Sequence, residues 1–230
     1  MSIGGRMFLV KSKYVTGQFS HNIYRTRFML WPERQALFTS AQTELCLEGF
    51  PRSANSYAYN AFSTANPAVS SYARHIHSPS QITEAARLGC ATLLVTRPPE
   101  ETIKSFMGHY KIEDLSLLLK GYISYYKAVL PVATNVVVSD FEQTTKNLNL
   151  AIQTLNSQFD TDFNEISNSQ NAETIAKLKA FDSAGRGTSG LPAFAADIDK
   201  DTNGPELEFP KELLSEAQAS YEAVAIFGIK

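Results

Sequence analysis

Three times along the chain, an apolar run too brief for a helix leads through a loop into residues at helical spacing. "TELCLEGF" ends at Gly-Phe-Pro, and "SANSYAYNAFSTAN" after it sets Tyr57, Ala61 and Phe62 at helix-compatible intervals. "CATLLVT" is a continuous apolar run, as a strand buried on both faces must be. Arg97-Pro98-Pro99 ends it, and "EETIKSFMGHY" follows with acids in the first turn, where a helix dipole favours them. "NVVVSD" repeats the pattern. Ser139 or Asp140 is the N-cap of one helix, "FEQTTKNLNLAIQTLNSQF", whose Phe141, Leu148, Ile152, Leu155 and Phe159 line one side. Repeated strand-loop-helix units predict an α/β fold, a three-layer sandwich with a central parallel sheet and helices on both faces.

Between these units, "EDLSLLLKGYISYYKAVLP" predicts a longer amphipathic helix ended by Pro131, with Tyr122, Tyr125 and Tyr126 as a packed core face and no ligand role. Residues 164–204 turn polar and loop-rich apart from a helix at "AETIAKLKAF", and read as a ligand-covering segment, either a disordered lid or a ligand loop. "PKELLSEAQASYEAVAIFG" opens with Pro at a helix entrance and closes before Gly228, a docking C-terminal helix. Residues 1–43 fit a strand or a broken helix. No internal repeat divides the chain, so 1–230 reads as a single domain.

Composition narrows the function classes. The 230 residues are 43% apolar and 19% charged, enough for one substantial core. No apolar run approaches the roughly 18 residues a membrane span needs, and the lysines of "MSIGGRMFLVKSKY" interrupt anything resembling a signal peptide. Cys46 and Cys90 fall in separate apolar runs and read as buried thiols, so a soluble protein of the cytoplasm is expected. A net charge of -2 argues against a nucleic-acid or anionic-membrane surface. An anionic ligand must then be held by individual arginines.

Two loops offer such arginines. From Gly49 the chain keeps the frame of a nucleotide-binding loop, G-x-x-x-x-G-K-[ST], but Ala54 stands at the second Gly and Asn55 at the Lys. A kinase reading, which needs that Lys and a strand-end Asp for magnesium, fails on both counts. The loop does supply Arg52, two short hydrogen-bonding side chains and the backbone amides of residues 53–57 at a helix start, a cradle for phosphate or sulfate. In an open parallel sheet the loops after successive strands share one rim, so Arg97, with Ser105 eight residues on and about one turn inside the next helix, can meet the same ligand. His75 and His77 are two apart, and no cluster has zinc-site spacing; no metal is expected. Asp140 and Glu142 read as a helix cap and dipole partner.

These spacings resemble the sulfotransferases that use 3'-phosphoadenylyl sulfate (PAPS), whose P-loop-like architecture the chain would then share. "FPRSANSY" is similar to their 5'-phosphosulfate loop, [TW]-P-[KR]-S-G-[ST]-[ST]-[WF]. Arg97 and Ser105 in "VTRPPEETIKSFMGHY" are similar to their 3'-phosphate motif, R-[ND]-P-x-D-x-x-x-S, and "GRGTSG" to a late R-[KG]-G-x-x-G loop. His77-Ser78-Pro79 lies between the first two motifs, where the family often has a His, and "VVVSDFEQ" resembles its later strand and acidic motif. The likeness runs from Glu44 to about Gly190.

The resemblance implies roles. Arg52, Ser53, Ala54, Asn55 and Ser56 would cradle the 5'-phosphosulfate, with Tyr57 stacking on adenine. Arg97 and Ser105, with Arg186 and Gly187 from the late loop, would grip the 3'-phosphate. His77, or His75, would be the general base for a hydroxyl acceptor of small-molecule or carbohydrate type, and Arg52 would stabilise the leaving adenosine 3',5'-bisphosphate (PAP). Ala54 departs from the family's Gly, which can take a positive φ and approach an anion closely. A catalytically inactive nucleotide-binding or interaction module on the same fold is the alternative. The acceptor would be met by variable loops at 65–74, 108–114 and 164–202.

Overall fold

The computed structural model describes residues 36–110, 114–183 and 207–229. The predicted apolar runs form β1 (Leu45–Gly49), β3 (Thr92–Thr96) and β4 (Val137–Asp140). A short strand, β2 (Tyr72–Arg74), lies in the stretch read as an acceptor loop. All four pair in parallel in the order β2-β1-β3-β4, with Gly49 opposite Val95 and Thr96 opposite Asp140. The chain thus runs outward from β1 to β2, crosses back and continues on the other side. That reversal opens a crevice at the carboxyl ends of β1 and β3, where ligands bind in open α/β sheets.

Eight α-helices surround the described sheet: α1 (Asn55–Ala65), α2 (Pro79–Leu88), α3 (Pro99–Tyr110), α4 (Leu115–Val129), α5 (Phe141–Lys146), α6 (Leu148–Phe159), α7 (Asn168–Ser183) and α8 (Lys211–Ala225). Strand periodicity sorts them into two layers. Leu94 and Val138 point into a cluster with α2, α3, α4 and α8; Leu93, Val95 and Val137 point oppositely, to α1, α6 and α7. This is the expected three-layer sandwich.

Two boundaries differ from the sequence reading. The helix expected across 141–159 breaks at Asn147, whose φ of -149° and ψ of 61° end α5 and start α6. The helical periodicity continues across the break, which is why the sequence pattern hides it. Asp140 rather than Ser139 caps α5, its carboxylate accepting from the Gln143 amide at 2.7 Å, while Ser139 Oγ pairs with Thr144 Oγ1 at 2.8 Å. The tyrosines of α4 are buried as expected. Pro131 lies in a 3-10 turn, Leu130–Asn135, that follows α4 directly.

Candidate functional site

The loop leaving β1 is drawn tight by two residues. A Cβ at Gly49 would stand 2.2 Å from the Val95 carbonyl oxygen, so only glycine lets β1 and β3 approach at the crevice floor. Asn55 turns its side chain back under the loop: Nδ2 donates to the Phe50 carbonyl at 3.0 Å. Where a nucleotide-binding loop has a cation, this chain has a brace. Arg52 and Ala54 both take the left-handed conformation, at φ 73° and 70°. Ala54 therefore adopts the backbone geometry a glycine reaches freely, at a steric cost of about 1 kcal/mol. Ser53 is fully buried, its hydroxyl beside that of Tyr126. α1 begins directly behind it, and the first amides of a helix lack intrahelical acceptors.

The β3 side closes on the same loop. Arg52 Nε donates to Ser105 Oγ at 3.0 Å, and Arg97 Nη1 donates to the Arg52 carbonyl at 3.1 Å. α3 starts at Pro99, so Ser105 stands almost two turns inside it rather than the single turn expected. Arg97 is held from every side. Its guanidinium lies 4.1 Å over the Phe141 ring and Nε donates to Glu101 Oε2 at 3.3 Å. Its backbone is fixed from α4, where the Tyr122 hydroxyl donates to the Arg97 carbonyl at 2.6 Å and the Tyr126 hydroxyl accepts from its amide at 3.4 Å. Burial pushes both phenols upward and keeps them protonated.

The two histidines flank one turn, and their neighbours give them different tautomers. Arg74 Nη1, which can only donate, lies 3.1 Å from His75 Nδ1, so that nitrogen carries the lone pair and Nε2–H faces Ser56 Oγ at 3.2 Å. His77 Nδ1 lies 2.9 Å from the Gly49 carbonyl, which can only accept, so Nδ1 carries the proton and Nε2 the basic lone pair. The two neutral rings therefore take opposite tautomers, with the lone pair on Nε2 in His77 and on Nδ1 in His75.

Tyr57 is placed otherwise than the resemblance implies. Its ring is 3% exposed within the apolar cluster of α1, and its hydroxyl donates to Asn171 Oδ1 on α7 at 2.7 Å. Stacking on a base would require it to leave that cluster. Arg186 and Gly187 lie outside the described residues. Sequence reasoning missed Glu48, Phe141 and Glu101, together with the backbone support from Tyr122 and Tyr126. Only Glu48 left a signal, a charge inside the apolar run "LCLEGF". It is fully buried, accepting from the Ile76 amide at 2.7 Å and the His77 amide at 3.1 Å.

No family model and no curated protein matches the chain. Among solved structures, the crystal structure of mouse sulfotransferase SULT7A1 complexed with PAP matches at a TM-score of 0.53. The match covers 85% of this chain and 90% of that chain, with 13% identity. The parallel four-stranded sheet with its surrounding helices is a sulfotransferase α/β fold. Among the described residues, no helix is long and apolar enough to cross a membrane.

Proposed function

We propose that the protein is a sulfotransferase that moves a sulfuryl group from PAPS to a hydroxyl acceptor by in-line transfer. The observation that carries this reading is the meeting of two distant motifs at the strand reversal. Arg52 from the β1 loop touches Ser105 of α3 at 3.0 Å, and Arg97 from the end of β3 reaches the Arg52 carbonyl at 3.1 Å. Two guanidinium groups, a buried serine hydroxyl and a helix start are donors suited to an anion with phosphate at two positions. That the mouse protein of the same fold is complexed with PAP supports the same ligand here.

In this reading Arg52, the Ser53 hydroxyl and the amides of Ala54, Asn55, Ser56 and Tyr57 hold the 5' end. Arg97 and Ser105, with Arg186 and Gly187, hold the 3'-phosphate. Bound PAPS supplies the activated sulfuryl group. His77 takes the acceptor's hydroxyl proton on Nε2, the nitrogen opposite the one that faces the Gly49 carbonyl. Arg52 and the loop amides stabilise the charge that gathers at the leaving phosphate. The acceptor class is a small-molecule or carbohydrate hydroxyl.

One observation favours a second reading, a module that binds without turnover: Arg97 is only 6% exposed, and Glu101 and the Arg52 carbonyl already engage it. Calorimetric titration with PAP against 5'-AMP, in EDTA, tests the donor site. Micromolar binding that requires the 3'-phosphate, and that Arg97→Ala weakens about a hundredfold, is the expected result. Absence of binding would leave an interaction module. Where PAP binds, sulfuryl transfer from PAPS to a hydroxyl acceptor that His77→Ala abolishes separates the enzyme from a silent nucleotide binder.

A further inference from the structure

We propose that Glu48 is a positioning residue for His77, holding its ring so that the proton stays on Nδ1 and the lone pair on Nε2. The inference deepens the reading of His77 as a base and rests on it.

A carboxylate with no exposure must be matched by donors. One turn supplies three to Glu48: the Ile76 amide at 2.7 Å to Oε1, the His77 amide at 3.1 Å to Oε2 and the His77 ring at 3.6 Å from Nδ1 to Oε2. The turn is bounded by two residues in the left-handed region, His75 at φ 57° and His77 at φ 54°. Residues bearing a Cβ occupy that region rarely and persist there only when their surroundings enforce it. Glu48 supplies the enforcement. It has two acceptor oxygens and no donor, which matches two backbone N–H groups converging from successive residues. The same oxygen that holds the His77 amide is the second acceptor facing Nδ1, after the Gly49 carbonyl at 2.9 Å. A lone pair on Nδ1 would oppose both, so carboxylate and carbonyl together drive the proton onto that nitrogen.

Glutamine cannot reproduce this. Its amide nitrogen must oppose either the Ile76 or the His77 N–H. In the second case it also offers a donor to Nδ1 and inverts the tautomer.

The chain has four histidines, so ¹⁵N-histidine labelling with assignment by His77→Gln resolves the ring nitrogens. At a pH where the ring is neutral, His77 is expected as the Nδ1–H tautomer, and Glu48→Gln lowers the ratio of Nδ1–H to Nε2–H about tenfold. Glu48→Asp keeps the charge but withdraws it from the ring, and is expected to fall between the two. It also serves as the comparison if Glu48→Gln does not fold. A wild-type Nε2–H tautomer would overturn the proposal. So would a ratio unchanged from wild type in whichever variant folds, or failure of both variants to fold, which would assign Glu48 to the stability of β1. PAP binding is read separately by calorimetry on the unsubstituted protein: its absence removes the sulfotransferase reading and leaves the ring-nitrogen result standing.

Discussion

At the scale of single residues, the β1 loop combines a position that demands glycine with one that tolerates its absence. A Cβ at Gly49 would meet backbone, the Val95 oxygen at 2.2 Å, and backbone cannot swing aside as a side chain can. Gly49→Ala is therefore expected to cost roughly 3 kcal/mol, read as a fall in the urea midpoint. Ala54 is the reverse case. At φ 70° it bears left-handed strain, so Ala54→Gly is expected to raise stability by about 1 kcal/mol in the same measurement. Alanine at this position thus carries a conformational cost that glycine would not. Which residues answer each other was partly visible in sequence. Arg52, Arg97 and Ser105 announced themselves by spacing. Glu48 did not, because its partners are amides almost thirty positions later, brought to it by the β1–β2 crossover.

At the scale of elements, strands and helices were legible in proportion to their burial. β3 and β4 are apolar on both faces and stand out as runs; β2 has three residues, two of them half-buried, and looks like loop. α5 matters more than its six residues suggest, because its first residue, Phe141, lies under the Arg97 guanidinium. Asp140 caps that helix. Asp140→Ala is expected to lose about 1 kcal/mol of stability, checked by thermal unfolding, and to weaken PAP binding severalfold as Phe141 loosens. A loss of stability with PAP affinity unchanged would show that Arg97 needs no support from that ring.

At the scale of the whole molecule, the two cysteines report on the core. Cys46 and Cys90 share a small cluster with Ala73 and Ala85 where β1 meets α2. Burial pushes the Cys90 thiol from 9.0 up to about 11 and raises Cys46 further from its ordinary range. A group whose value is raised on folding contributes its stability below the unfolded value and loses it as pH climbs through the folded one. Denaturant stability is therefore expected to decline between pH 9 and 11, and Cys90→Ala to flatten that decline. By itself the sequence determined the alternation of buried strands with helices, the rim on which the loops open, and the arginines available for an anion, because periodicity and spacing are local properties of a chain. Only the tertiary structure decided that Arg52, Ser105 and Arg97 meet, that Tyr57 serves the core, and that His75 and His77 take opposite tautomers. Those outcomes depend on what the crossing of the strands brings within hydrogen-bond reach, and a lone pair is assigned by the neighbour it faces.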